Sequence, residues 1–467
     1  MIVKAPHFYT MEGAGVGYKT GVAMLVDGGK IYGFVDNSVV ERDYKADEVL
    51  DLPDHAVFPG LIDGHMHVQY NVLRGLAQDV DNWMMYGLQP FVNAYTPEDA
   101  QKGSRVAIIE AIKAGTTTIG DQDCEIDSVA DFIKKIGARG NLALMFRAVK
   151  QKVYNPGELY EFDDALGEAG LKENIRMYNK WHDKHNMKVM FGPQGIDFVS
   201  PELLLRTQQA AKSLHTKLYI HFQQGSRETE QIMRRYGKRP TDFAFALGLP
   251  DKDLVAIHLT DCTDTEAERI AVSGASMVVN PTSIGIIDGI VCPDAVFQAA
   301  GGYVALGSDQ SPGNNCHNII HEMKNVCLFN KIKYANPEAM PAWKALRMAT
   351  VEGATAIGIG DITGSLEEGK QADFIGVSLN HPSMLPVYTY PMRNIVPNFV
   401  YSARGEEVTL SVVAGRVIMK DRKILSIDEQ ECLDELKTCP ATIGQKAARE
   451  FLAIDGPNAR FMREERL

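Results

Sequence analysis

The sequence predicts an α/β protein: a parallel (β/α)8 TIM barrel carrying a small β-sandwich domain assembled from both chain ends. Three observations predict it. From about residue 58 to 365, apolar strand-like runs alternate with amphipathic helical stretches, the pattern of parallel strands joined by helices. Residues 1–57 and 366–427 read mainly as short strands, so one β domain is expected from the two flanks. Polar residues able to bind a metal close several central runs, and in a barrel the C-terminal ends of the strands converge on one mouth.

The elements follow in order. Val22–Val26 and Lys30–Val35 flank Asp27-Gly28-Gly29, a hairpin signal. Strands are expected at Thr116–Gly120, Val189–Gly192, Leu218–Phe222, Leu254–Leu259, Ser276–Asn280 and Tyr303–Ser308. Helices are expected at Pro97–Ala114, Pro201–Leu214 and Thr263–Val272. Strands return at Ala372–Leu379 and Val408–Val413, the latter turning through Ala414-Gly415 into Arg416–Met419. Residues 428–467 form a charged helical extension, either a solvated tail or a helix that packs on a partner subunit.

Length and composition bound the function. A chain of 467 residues exceeds one compact core and suits a large domain with a smaller companion. Lys plus Arg total 48 against 60 Asp plus Glu, a net charge of −12. Such a chain is a poor binder of phosphate backbones, so a small-molecule substrate is expected rather than nucleic acid. The seven cysteines (124, 262, 292, 316, 327, 432 and 439) are odd in number and contain no CxxC pair. They read as reduced thiols of a cytoplasmic protein, not as a disulfide framework or a thiolate zinc site. The N-terminus lacks the basic and apolar regions of a signal peptide. The longest uncharged stretch, 374–392, is broken by Pro382, Pro386 and Pro391, so no membrane span is expected.

The chemistry is concentrated in five residues. In an extended chain, residues i and i+2 point the same way, so His65 and His67 of Phe58–His67 can offer two imidazoles to one ion. His221 closes Leu218-Tyr219-Ile220, His258 closes Leu254–Ile257, and Asp309 follows Tyr303–Ser308. Taken singly, each reads as a core histidine or a helix-capping aspartate. Taken together, all at strand ends, they read as a metal site.

The order HxH, His, His, Asp, with the lead-in PGLIDGHMH, resembles the amidohydrolase superfamily. More narrowly it resembles the mononuclear-metal branch of methylthioadenosine/adenosylhomocysteine deaminases, guanine deaminases and triazine chlorohydrolases. The likeness runs through His65–Asp79 with Trp83, Ala114–Thr118, Asn280–Ser283, Ala349-Thr350 with Gly353-Ala354, and Gly364–Asp373. It implies one divalent metal ion per chain, zinc or else iron, held by His65, His67, His221 and Asp309. No lysine ends a strand where a two-metal site would need one. It also implies Asp309 and His258 as catalytic residues: the first takes a proton from water, and the second hydrogen-bonds the attacking oxygen and the developing oxyanion. Gln69 and Trp83 become pocket candidates, and a homodimer or larger homo-oligomer is expected.

Two departures redirect the expected activity. Deaminases of this branch carry a Glu three residues after the third histidine; here that position is Gln224, which cannot give up a proton as a carboxylic acid does. Glu228, one helical turn on, reads as a structural residue at the helix start, the alternative being that it supplies the acid that Gln224 lacks. Gln310 follows Asp309 where many deaminases have Gly. With Gln223, these residues suggest a pocket that hydrogen-bonds without shuttling protons, and Gln224 and Gln310 join the substrate-binding candidates. The expected function is hydrolysis of a C–N bond (amide, urea or amino substituent) in a small, nitrogen-rich, cyclic compound. The alternatives are a deaminase of a purine-like base or nucleoside and, more remotely, a catalytically silent ligand-binding homologue.

Overall fold

The computed structural model describes every residue of the chain except 81, 151, 153, 155 and 156, and the side chain of residue 41. Its centre is a curled parallel sheet of nine strand segments. In chain order these are β1 (Leu61–His67), β2 (Thr116–Asp123), β3 (Arg139–Phe146), β4 (Met187–Pro193), β5 (Leu218–Phe222), β6 (Leu254–His258), β7 (Ser276–Val279), β8 (Val304–Leu306) and β9 (Asp309–Gln310). Each pairs with its predecessor from β2 to β8, and β9 returns to pair with β1, Asp309 opposite Met66 and Gln310 opposite His67. β8 and β9 are two halves of one path interrupted at Gly307-Ser308, so the ring closes as a (β/α)8 barrel.

Local chemistry sets the boundaries. The helix Pro97–Lys113 starts with Thr96 and Asp99 in a reciprocal capping box and with Pro at its first position. It stops before Gly115, whose φ of +98° favours glycine and turns the chain into β2. The second capping box, Thr263 with Glu266, starts the helix Asp264–Val272 after β6. The hairpin forms as expected: Val22–Asp27 pairs antiparallel with Lys30–Asp36 across Gly28 and Gly29, both at positive φ.

Several strands differ from expectation at their mouth ends. β2 runs three residues beyond Gly120 because Asp121 and Asp123 accept the backbone N–H groups of Val68 and Gln69, both at 3.0 Å. The expected strand Tyr303–Ser308 splits into β8 and β9.

Ile62, Ala143, Met190, Tyr219, Val255, Ile257, Val278 and Ala305 fill the barrel below the mouth, plugged from the far end by Ala354, Ile357 and Ile359. On this largely apolar floor sits the polar layer of the mouth.

Strands from both flanks share one sheet. In the seven-stranded sheet, His55–Pro59 lies between Phe374–Ser378, antiparallel, and His7–Tyr9, parallel. The expected division at 57/58 falls inside His55–Pro59. Arg139 at the start of β3 makes a buried bidentate pair with Asp373, Nε–Oδ2 2.6 Å and Nη2–Oδ1 3.0 Å, tying barrel to sheet.

The C-terminal extension consists of Glu429–Lys437, Cys439–Ile454 and Pro457–Arg463. It folds back on its own chain. Lys113 bonds Glu429 at 2.6 Å, while Cys439, Ile443 and Ala447 pack with Leu73, Ala77, Leu88 and Ala94 beside the loop that follows β1. No helix among the described residues is long and apolar enough to cross a membrane, and the cysteines are free thiols.

Candidate active site

The strands bring His65, His67, His221, His258 and Asp309 together at the barrel mouth, each less than a tenth exposed. Backbone irregularities aim them. The pairing of β1 with β2 slips between Asp63 and Met66, a bulge that re-aims His65 and His67. His221 follows Tyr219 by two residues and shares its inward face. His258 would face away from the barrel by alternation after Val255 and Ile257. Its φ of +79° turns it into the mouth, and Asp309 has a φ of +59°. Such left-handed non-glycine residues cost on the order of 1–3 kcal/mol each and persist where surrounding structure holds them.

The hydrogen bonds fix the tautomers of three histidines. His67 Nδ1 lies 2.5 Å from the Gln122 carbonyl and His221 Nδ1 lies 2.6 Å from the Gln194 carbonyl. A carbonyl only accepts, so both Nδ1 atoms carry the proton and both Nε2 atoms are lone pairs. Tyr219 gives its hydroxyl hydrogen to the Gly64 carbonyl at 2.6 Å, so its oxygen accepts from His65 Nδ1 at 2.8 Å. His65 Nε2 is thereby a third lone pair, and it has no hydrogen-bond partner among the described residues.

These lone pairs converge. His67 Nε2 and His221 Nε2 are 3.3 Å apart, and Asp309 Oδ1 is 3.6 Å from His65 Nε2 and 3.7 Å from His67 Nε2. Ligand atoms about 2.0–2.2 Å from a tetrahedral ion stand roughly 3.3–3.6 Å from one another. Three imidazole lone pairs and a carboxylate at these separations repel without a cation between them, so the donor set fits one divalent ion. The other carboxylate oxygen, Asp309 Oδ2, accepts from Ser283 Oγ at 2.5 Å. His258 differs: its Nδ1 faces the Asn280 amide nitrogen at 3.0 Å, and its Nε2 has no partner among the described residues.

The pocket candidates are placed unequally. Gln224 is half-buried and its amide makes no hydrogen bond to the described residues. Gln310 is buried opposite His67. Gln69 lies in the turn Val68–Leu73 just after β1. Trp83 packs on the cluster that Cys439 and Ile443 share with Leu88. Gln223, expected from the sequence to join the pocket, instead bonds Thr241 at 3.1 Å and Glu266 at 3.4 Å, and is fully buried. Glu228 accepts the backbone N–H groups of Gln223 (2.9 Å) and Gln224 (3.1 Å). Burial, and then the charge of Asp197, push its carboxyl up to about 8. It therefore fixes the strand-to-helix turn that presents Gln224.

Sequence reasoning missed several neighbours. Asp63 accepts from the Ser308 backbone at 2.9 Å and from its hydroxyl at 2.5 Å, tying β1 to the bend before Asp309. His317, by contrast, reads from the sequence as a loop hydrogen-bonder, and it joins the same network as one, with Nδ1 2.8 Å from Ser308 Oγ and Nε2 2.9 Å from Ser311 Oγ. Asp288 caps the end of Pro281–Ile287, its carboxyl pushed up to about 6 by desolvation and then by the charge of Asp309. Tyr219 carried a signal, its i, i+2 spacing to His221. The Gln122 and Gln194 carbonyls carried none.

Comparison with known proteins places this geometry. A model of the amidohydrolase family matches residues 56–418. The chain is 30% identical over 457 residues to a 5'-deoxyadenosine deaminase of Methanosarcina mazei, covering 97% of this chain and 98% of that one. It is 32% identical over 399 residues to a 5-methylthioadenosine/S-adenosylhomocysteine deaminase of Caldanaerobacter subterraneus subsp. tengcongensis, covering 85% and 88%. Among solved structures, an adenosine deaminase from Xanthomonas campestris with bound zinc superposes with a TM-score of 0.86 at 24% identity, over 95% of this chain and 98% of that one. A zinc complex of atrazine chlorohydrolase from Arthrobacter aurescens TC1 gives 0.84 at 19% identity, over 94% and 99%. With the matched segment spanning most of its length and a cluster of lone pairs suited to a divalent ion at the barrel mouth, the chain belongs to the amidohydrolase family and is a metal-dependent hydrolase of carbon–nitrogen bonds.

Proposed function

We propose that this enzyme hydrolyses a C–N bond (amide, urea or amino substituent) of a small, cyclic, nitrogen-rich compound, with zinc as the resident ion and iron as the other candidate. His65, His67, His221 and Asp309 would hold the ion. When bound, such an ion supplies Lewis acidity that makes hydroxide available from water near neutral pH. Asp309 takes the proton of the attacking water on its carboxylate. His258 hydrogen-bonds the attacking oxygen and the oxyanion that develops on the substrate. The half-buried Gln224 and the buried Gln310 and Gln69 are amides, so they suit recognition of ring nitrogens and carbonyls by paired donors and acceptors.

The observation that carries the reading is the amide of Gln224, which makes no hydrogen bond to the described residues. A neutral amide there selects substrates whose leaving group needs little help from a carboxylic acid. Mass spectrometry of products tests it, with zinc-loaded protein and a pool of nucleobases, nucleosides, triazines, ureas, carbamates and cyclic amides. Cleavage at an amide or urea bond, or loss of a ring substituent other than an amino group, is expected. Gln224→Ala then changes substrate preference without abolishing turnover.

A second reading is favoured by relatives that are 30% identical over nearly the whole chain and are named as nucleoside deaminases. In it the substrate is a purine-like nucleoside, the product carries oxygen in place of an amino group, and Gln224→Glu raises ammonia release. A slower Gln224→Glu on every amino substrate removes its support.

A further inference from the structure

The four mouth histidines divide by what stands behind them. Behind His65, His67 and His221 are acceptors: the Tyr219 oxygen, the Gln122 carbonyl and the Gln194 carbonyl, at 2.8, 2.5 and 2.6 Å. Behind His258 is a donor, the amide nitrogen of Asn280, at 3.0 Å from Nδ1. An NH2 group has hydrogens and no lone pair to offer, so Nδ1 of His258 accepts and the ring proton sits on Nε2. Distance alone does not separate His258 from the ligands, because its ligand nitrogen lies within 4.8 Å of those of His65 and His221.

We propose that Asn280 is a positioning residue that assigns His258 its role. By donating to Nδ1 it keeps a hydrogen on Nε2, which bars that nitrogen from the ion and makes it a donor aimed into the mouth. The inference rests on the ligand set of His65, His67, His221 and Asp309. Those residues already supply four ligand atoms, so a fourth imidazole lone pair, as a fifth protein ligand, would close the position that a reacting water needs.

The fold holds the amide in place. Asn280 directly precedes the helix Pro281–Ile287 and is fully buried, as is His258. A side chain at Gly307 would come within 2.3 Å of Asn280 Oδ1 and 2.9 Å of His65 Cβ, so Gly307 leaves the room that the amide occupies.

The test compares Asn280→Asp with Asn280→Ser. An ionised Asp only accepts, so it demands Nδ1–H and frees Nε2 as a lone pair. A Ser hydroxyl can still donate. In protein labelled with 15N at histidine, long-range 1H–15N correlation reads which nitrogen of His258 is protonated, with His258→Gln assigning the signal. We expect Nε2–H in the unaltered protein and in Asn280→Ser, and Nδ1–H in Asn280→Asp. With cobalt as the probe, Asn280→Asp is expected to show weaker visible absorption, the mark of a fifth ligand, and a kcat lower by about 10²–10³-fold, the loss typical of one removed oxyanion donor. On a His258→Ala background the same change is expected to cost nothing further.

Nδ1–H in the unaltered protein overturns the proposal, as does an equal kcat loss from Asn280→Asp with and without His258. If Asn280→Asp fails to fold, the ring assignment in the unaltered protein still decides. Failure of the ligand set itself would show separately, as protein that binds no stoichiometric cobalt whatever the His258 tautomer.

Discussion

Replacing Ser283 by alanine removes a single oxygen atom and leaves all four proposed ligands in place. In the structure Ser283 Oγ donates to Asp309 Oδ2 at 2.5 Å, while Oδ1 faces His65 and His67 Nε2 at 3.6 and 3.7 Å. The hydroxyl therefore sets which carboxylate oxygen points at the histidines. Both residues are buried, Ser283 completely. A hydrogen bond to a charged group contributes about 1.5–3 kcal/mol. Removal of the group that orients a metal ligand lowers metal affinity by about 10–100-fold, which corresponds to roughly 1.4–2.8 kcal/mol. The two scales agree, so zinc affinity is expected to fall by one to two decades. Competition with a chromophoric chelator measures it. Ser283→Thr, which keeps the hydroxyl, is expected to restore most of the loss. Affinity within twofold of the parent, together with unchanged kcat, would refute the view that Asp309 is oriented from this side.

Other perturbations probe the site and its frame. Asp309→Asn and His221→Ala are each expected to abolish product formation by mass spectrometry while circular dichroism stays unchanged; undiminished turnover in either removes that residue from the ligand set. Asp373→Asn leaves Arg139 buried without its counter-charge, and breaking such a pair costs about 3–5 kcal/mol, so a large drop in thermal midpoint is expected; a shift too small to resolve would mean the pair adds nothing. Asp127 has a depressed carboxyl: burial raises it, but bonds from Lys180, Trp181 and Arg176 outweigh burial and bring it to about 2 from an ordinary 3.8. Its stabilisation is therefore complete above about pH 4 and lost as the pH falls toward 2. Asp127→Asn should thus lower stability at pH 6, and its difference from the parent should shrink below pH 4; a constant difference in denaturant midpoint would contradict the assignment.

The site is legible in the sequence where one residue and its local run suffice. His65 and His67 are two apart on a strand, and His221, His258 and Asp309 each close an apolar run, so the residue pattern alone places them at the barrel mouth. What sets their protons is not legible. The Gln122 and Gln194 carbonyls are backbone atoms without a sequence signature, and Ser283 and Asn280 reach Asp309 and His258 across strands. Gln223 departs from its expected place because its φ of +49° turns it from the pocket toward Thr241 and Glu266. The strand end at Asp121–Asp123 resembles a turn because two nearby carboxylates suggest solvent, whereas these two are buried and hold the N–H groups of the next segment. The C-terminal helices cannot be assigned a face from their pattern, since their apolar side meets a loop rather than a periodic element.

The shared sheet also imposes a schedule. Pro59 pairs with Phe374, about 315 positions further along the chain. At roughly 5–20 residues per second of synthesis, His55–Pro59 waits on the order of 15 to 60 s on the ribosome for its antiparallel neighbour. During that time an apolar strand edge, with Phe58 destined for the core, stands open beside a half-made barrel. Such edges template unwanted pairing. Production of this enzyme in a cell thus calls for shelter of residues 55–59 during translation as well as for stability of the finished fold.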